Sequence, residues 1–267
     1  MTLRTLDDLG NFEGLRILLR ADLNVPLRDG AVTDDARIRA TVPTIEELLA
    51  RGAALVVASH LGRPNGLVTD DLRLAPVGHA LAEALGTPVA ALDVVTPDAL
   101  PDDDIVLLEN LRFDPGEEAN DVPFAGKLAE LADVYVDDAF GAVHRAHASV
   151  SALPELMLAS GRPAVAGRLV EREVAVLGRL LADPDRPFVA ILGGAKISDK
   201  LAIVTSLVER VEAIAIGGAM AFTFLVAQGG SVGRSLVEQD RLDDDGGLVL
   251  VDRHDVGSPR GCHRPRR

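Results

Sequence analysis

The sequence predicts an α/β protein with doubly wound, mostly parallel sheets, and three observations carry that prediction. Residues 54–58, ALVVA, form an apolar run without alternation, the pattern of a strand buried on both faces beneath helices. Runs of this kind alternate steadily with segments of helical period. In the first half each run also ends abruptly in polar or basic residues. The 54–58 run enters Ser59, His60, Leu61, Gly62, Arg63 and Pro64, and ILLR enters Ala21, Asp22, Leu23 and Asn24. IVLLEN enters Leu111 and Arg112, and DVYVDD enters Ala139, Phe140, Gly141, then His144 and Arg145. Ligands of open α/β sheets sit beyond the carboxyl ends of the strands, so four ends deliver polar and basic side chains to one rim. One arginine at a strand end is ordinarily a solvated loop residue. The set together points to an anion.

In chain order, 15–19 reads as a strand that leaves through Asp22 and Asn24, whose spacing can point both side chains the same way. That pair suits a hydroxyl, and turn chemistry explains it equally well. A helix should begin at Asp34 and Asp35, carry Ile38, Val42, Ile45, Leu48 and Leu49 on one face, and close at Gly52. Arg37 falls in its first turn, against the preference for acidic groups there, and so hints at a bound anion. Residues 74–85 read as a helix closed by Gly86, 88–92 and 105–108 as strands, and 114–120 as a polar loop. Residues 122–131 read as an amphipathic helix and 134–136 as a strand. The pattern breaks at 163–167, and 169–181 reads as a linker helix ending in the proline-bounded turn 183–187. His144 and His147 are three apart, but Arg145 between them opposes a cation and no third ligand follows at a sensible spacing. No metal site is assigned.

A second unit opens at 188–192 with another apolar strand, followed by Gly193, Gly194, Ala195, Lys196, Ile197, Ser198, Asp199 and Lys200, then a helix over 201–210. Glycines after a strand let backbone approach a phosphate, and the next helix offers its first amides to it. A plain strand-to-helix turn fits the same residues, and the order of Gly, Lys and Ser is not that of a Walker loop. Residues 213–216 with Gly217 and Gly218 repeat the strand and glycine turn, and 220–228 form the next helix.

Composition narrows the function classes. Hydrophobic residues make up 48% and charged residues 25%, a globular balance. No apolar run reaches the roughly 18 residues of a membrane span, and the first residues lack a signal-peptide pattern, so a cytoplasmic protein without membrane partners is expected. The single Cys262 excludes an internal disulfide framework. A formal charge of -14 argues against nucleic-acid binding while permitting an anionic substrate in a local arginine cluster.

Seven segments then stand in a familiar order and spacing: LLRADLNVP, TDDARIRATVPTI, ASHLGRP, LLENLRF, DDAFGAVHRAHAS, GGAKISDK and GGAMAFTFLVAQG. Over residues 1 to about 242 the chain resembles phosphoglycerate kinases. The resemblance implies two Rossmann-like domains, and phosphoryl transfer between 1,3-bisphosphoglycerate and ADP with magnesium, giving 3-phosphoglycerate and ATP. It further implies a 3-phosphoglycerate site of Asp22, Leu23, Asn24, Arg37, His60, Leu61, Gly62, Arg63, Arg112 and Arg145. By the same resemblance Arg37 stabilises the transferring phosphoryl group and Lys196 guides it. Nucleotide contacts would come from Gly193, Gly194, Lys196, Lys200, Gly217 and Gly218.

The expected division is a substrate-binding domain over 1–166, a helix and linker over 167–186, a partial nucleotide-binding domain over 187–242, and an aberrant tail over 243–267. That tail, DDDGGLVLVDRHDVGSPRGCHRPRR, reads as out-of-frame translation of an arginine-rich coding region, with a short native basic tail as the alternative. Asp243, Asp244 and Asp245 read as a solvated acidic run rather than a replacement magnesium site. The family's late nucleotide- and magnesium-binding motifs are missing, so ADP or ATP binding is expected to be weak and the chain alone inactive, as a monomer or an aggregation-prone species. A non-catalytic 3-phosphoglycerate-binding remnant is the alternative; an unrelated sugar-phosphate or nucleotide-binding module fits the ordered motifs poorly.

Overall fold

Strand β1 (Arg16–Ala21) is buried at five of its six residues and lies inside a six-stranded sheet. The computed structural model describes residues 3–198 and 200–242, in two compact units that meet between Arg179 and Leu180. In the first unit β4 (Ala54–Ala58), β5 (Ala90–Ala91), β6 (Ile105–Leu107), β7 (Val134–Asp138) and β8 (Ala164–Ala166) join β1 in the order β5-β6-β4-β1-β7-β8. Every pairing is parallel. A small hairpin of β2 (Leu27–Arg28) and β3 (Ala31–Val32) stands apart.

The two-sided burial expected of unalternating strands is explicit in the core. Ile17, Leu19, Leu55, Val57, Val134 and Val136 face one apolar layer with Ile38, Ile45 and Leu48 of α1 (Ala36–Ala50) and Val77 and Leu81 of α2 (Ala75–Leu85). Leu18, Val56 and Tyr135 face the other, with Phe124 and Leu128 of α4 (Val122–Ala129) and Leu153 and Met157 of α5 (Ala152–Ala159). Alternate residues on one strand serve opposite faces because the side-chain period is two. Gly86 closes α2 in the left-handed conformation.

Two local expectations need correction. The polar stretch 114–120 contains a helical turn, α3 (Pro115–Glu118), started by Asp114, whose side chain accepts from the Gly116 amide at 2.8 Å. Proline at the first helical position and an aspartate cap nucleate this turn. The interruption at 163–167 is the edge strand β8, too short for a pattern but paired residue by residue with β7. α5 precedes it. α6 (Arg168–Ala182) then begins where the Asp138 carboxylate accepts from the Leu169 amide at 2.8 Å.

The second unit holds β9 (Val189–Gly193) and β10 (Ala213–Gly217), paired in parallel, with α7 (Leu201–Val208) and α8 (Met220–Ala227). Both strands alternate between exposed and half-buried residues. Residues 243–267, including Asp243, Asp244 and Asp245, lie outside the described residues, as does Asp199.

Candidate functional site

The carboxyl ends of β1, β4 and β6 are tied into one frame by hydrogen bonds that are mostly buried. The Ser59 hydroxyl donates to the Ala21 carbonyl at 2.8 Å and accepts from the Leu23 amide at 2.9 Å, joining the ends of β1 and β4. Asn110, beyond β6, accepts from the Leu61 amide at 3.1 Å and donates to the carbonyls of Leu61 at 2.8 Å and Leu72 at 3.0 Å. This fully buried amide fixes the loop that carries His60, Gly62 and Arg63. Asn24 accepts from the Gly62 amide at 2.9 Å, and Arg112 donates to the Gly62 carbonyl at 2.6 Å.

These loops enclose a cavity of about 200 Å³ lined by Asp22, Asn24, Arg37, His60, Gly62, Arg63, Arg112, Gly141 and Arg145. All of the expected rim residues except Leu23 and Leu61 line it. Those two point into the apolar core, so only their backbones shape the site. Arg112 is buried and stands 3.3 Å from Glu118, whereas Arg37, Arg63 and Arg145 are exposed. Arg37 pairs with the nearly buried Asp22 carboxylate across the cavity floor. Gly141 makes that approach possible, because a Cβ there would sit 2.5 Å from Asp22 Oδ2.

His60 enters the cavity as a neutral group, against its sequence reading as part of a basic rim. Burial, reinforced by the charges of Arg20 and Arg112, lowers its pKa from 6.5 to about 2. Its Nδ1 lies 3.1 Å from an Arg20 terminal nitrogen. Arginine has no acceptor, so Nδ1 accepts and the ring proton is on Nε2. His147 is buried and held below its ordinary pKa chiefly by burial, and His144 is exposed. Among the described residues no group of three or more His, Cys, Asp or Glu could hold a metal ion.

Sequence reasoning missed the layer beneath the cavity. Arg20 is fully buried, and its Nε donates to the Ser149 hydroxyl at 2.8 Å. A charge inside the apolar run ILLR was a readable signal, since a buried arginine requires partners. Glu117, also fully buried, accepts from the Ser149 amide at 2.9 Å and hydroxyl at 2.6 Å. Nothing in PGEEAND distinguishes that glutamate from a surface acid.

In the second unit Gly193, Gly194, Gly217, Gly218 and Lys196 are exposed, and Lys200 is half-buried. Gly218 has φ +69, and a Cβ there would lie 2.7 Å from the Gly194 carbonyl, so close packing of the two turns by itself calls for glycine. Two loop amides between the glycine turn and α7 are engaged, and they lie upstream of the helix amides expected to await a phosphate. Ile197 and Ser198 donate theirs to the Glu238 carboxylate, the latter at 3.2 Å, and the Ser198 hydroxyl donates to it at 2.6 Å.

Comparison with known proteins agrees with this fold. A family model described as phosphoglycerate kinase matches residues 6–253, and so continues past residue 242 into the stretch read as aberrant. The phosphoglycerate kinase of Thermomicrobium roseum is 51% identical over 249 residues, covering 91% of this chain and 62% of that protein. That of Moorella thermoacetica is 52% identical over 245 residues, covering 89% and 61%. The chain thus spans about six tenths of the length of the curated relatives it matches. The structure of phosphoglycerate kinase from Coxiella burnetii superposes with a TM-score of 0.77 at 38% identity, covering 90% of this chain and 60% of that one. The enzyme from Pyrococcus horikoshii OT3 gives 0.74 at 31% identity, covering 87% and 59%. No helix among the described residues is long and apolar enough to cross a membrane. With a family match over nearly all of the chain and a parallel sheet that gathers arginines at its carboxyl edge, this chain belongs to the phosphoglycerate kinase family.

Proposed function

We propose that the first unit binds 3-phosphoglycerate, or 1,3-bisphosphoglycerate, in the arginine-lined cavity, as the acid-substrate side of phosphoryl transfer to and from ADP. The observation that carries this reading is charge: four arginines face one aspartate around about 200 Å³, with a neutral histidine among them. One carboxylate and one phosphate bring about three negative charges. Arginine forks suit both groups, and the His60 Nε2–H adds a neutral donor. The Asn24 oxygen is committed to Gly62, so its amide donors remain for the substrate, and Asp22 can accept from a hydroxyl while holding Arg37.

Chemistry of this kind requires positioning and charge compensation rather than an activated nucleophile. Arg37, paired with Asp22 but half exposed, is the cation that can turn toward a transferring phosphoryl group; Lys196 is the matching cation of the second unit. Magnesium would enter with the nucleotide, and the described residues form no cluster that fits a protein-held ion. We assign Gly193, Gly194, Lys196, Lys200, Gly217 and Gly218 to weak nucleotide contact. Glu238 already holds the Ile197 and Ser198 amides ahead of α7, so these two donors are not open to a phosphate, which supports weak nucleotide contact at this loop.

Calorimetric titration with 3-phosphoglycerate tests the site. Arg63→Ala and Arg145→Ala each remove an exposed side chain without disturbing the core, and each should weaken binding about ten- to a hundredfold, as for loss of a hydrogen bond to a charged group. Wild-type affinity in both variants rejects the assignment.

A further inference from the structure

We propose that Glu117 and Ser149 are positioning residues for the anion cavity: through Arg20 they fix the His60 ring as an Nε2–H donor, and they anchor the loop that carries Arg145. The inference rests on the cavity being the substrate site, and goes beyond it by assigning work to side chains that line no part of it.

Three contacts make the relay. Both Glu117 oxygens are spent on Ser149, one on its amide at 2.9 Å and one on its hydroxyl at 2.6 Å. With its proton given to Glu117, the Ser149 oxygen must accept, and it accepts from Arg20 Nε at 2.8 Å. A second Arg20 nitrogen donates to the Ala21 carbonyl at 2.6 Å, which leaves the third aimed at His60 Nδ1, 3.1 Å away. That third nitrogen also lies 3.9 Å from Glu117, so the carboxylate compensates a guanidinium that has no exposure to water. Every link is directional, and the ring at its end has no choice of tautomer.

The same carboxylate holds the loop. Besides the Ser149 amide, Glu117 presents its own carbonyl to the Ala148 amide at 2.8 Å, and the Tyr135 hydroxyl secures the Ser149 carbonyl at 2.7 Å from below. Arg145 lies four residues upstream, its amide bonded to the Ala142 carbonyl at 3.0 Å. One helical turn, α3, therefore sets both a donor on the β4 side of the cavity and the chain segment bearing an arginine on the β7 side. Buried polar networks rigidify when fully satisfied, which is the condition met by these groups.

The test reads the ring directly. Long-range nitrogen–proton NMR correlations on the histidine-labelled chain, without ligand and with His60 assigned from a His60→Asn control, should show His60 protonated only at Nε2. Ser149→Ala and Glu117→Gln should each make an Nδ1-protonated population visible, whereas Ser149→Thr, which retains the hydroxyl, should keep the wild-type pattern. The same two disruptive variants should bind 3-phosphoglycerate about tenfold more weakly, the usual loss for one hydrogen bond's support. An unchanged tautomer in both Ser149→Ala and Glu117→Gln overturns the relay, as does failure of Ser149→Thr to preserve it. Because the ring signal is read in the free chain, failure of the relay is distinguishable from failure of 3-phosphoglycerate to bind the wild type.

Discussion

Two short strands, each with an aliphatic centre, have opposite fates in this chain. Ile17 on β1 is fully buried, whereas Ile191 on β9 is 83% exposed, although each stands in a short apolar run that leads into a polar loop. β1 is hydrogen-bonded on both sides, by β4 and β7, and its residues meet helices on both faces. β9 has β10 as its partner among the described residues. Local pattern decides that a strand forms, and the number of neighbours decides whether that strand is core. The two units differ in the same way: loops from four strand ends line the arginine-rich cavity of the first, while the second presents two glycine turns, which we assign to nucleotide contact.

The sharpest way to break this comparison is turnover. The 267-residue chain, assayed by itself with ATP, magnesium and 3-phosphoglycerate, should show no turnover in the range of about 1 to 1000 per second usual for enzymes. In-line transfer needs donor and acceptor both held, and effective molarities of about 10⁵ M or more arise only when both are. A rate within the enzyme range would mean that the second unit positions its nucleotide fully. Activity that returns when the rest of the family's length is added as a separate polypeptide would sharpen the contrast.

Stability should follow the same division. Ile17→Ala empties a fully buried site and should cost about 2 to 5 kcal/mol in denaturant unfolding of the first unit. Ile191→Ala removes a side chain already in water and should stay within about 0.5 kcal/mol. Hydrogen exchange should likewise release the amides of β9 and β10 at lower free energy than those of β1 and β4. Equal costs for the two isoleucines, or uniform protection, would show that the second unit is as well supported as the first.

Much of the first unit was legible in sequence because its signals are local. ALVVA followed by a polar loop, and a helical run stopped by Gly86, both state their structure within a dozen residues. The cavity arginines were legible because each follows a strand end or a helix start, and a parallel sheet aligns those ends without further instruction. α3 and β8 were not legible, since PGEE resembles a turn and AVA between Pro163 and Gly167 is too short for periodicity. The neutrality of His60 depends on burial under the assembled loops, reinforced by Arg20, forty residues away on a neighbouring strand, and the engagement of the loop amides depends on Glu238, about forty residues downstream. Such contacts are properties of tertiary placement. No window of sequence contains them.

The His60 environment predicts a pH dependence confined to the first unit. The folded state keeps the ring neutral to about pH 2, whereas the unfolded chain protonates it near 6.5, so the unfolded state binds more protons in between. Stability contributed by this group is complete above pH 6.5 and is lost as the pH falls through that window, by up to about 1.4 kcal/mol per pH unit. Half-buried Asp137 and buried Asp138, whose pKa values burial raises, act in the opposite sense, since the stability they contribute is lost as the pH rises through the raised values. The difference between wild type and His60→Asn isolates the histidine. Urea midpoints from pH 7.5 to 5 should fall more steeply for wild type, and parallel curves would show that the ring is not kept neutral.

The smallest effect concerns how firmly the first unit supports its own site. Asp114 caps a helical turn of four residues, too short to persist on its own, and that turn carries Glu117 into the layer under the cavity. Asp114→Ala removes the bond to the Gly116 amide and should cost about 1 kcal/mol, the usual value of an N-cap. The fold should survive that loss easily, because Glu117 is also held through Ser149 and through the Ala148 amide. Chemical denaturation measures the global cost, and hydrogen exchange at Glu117 and Ser149 reads the local one. In a well-supported unit the two should agree, since the turn opens only when its surroundings do. A local opening much easier than the global cost would mean that the region beneath the arginine-lined cavity is as loosely held as we expect the strands of the second unit to be, and the contrast between the two units would then fail at the site we propose for the acid.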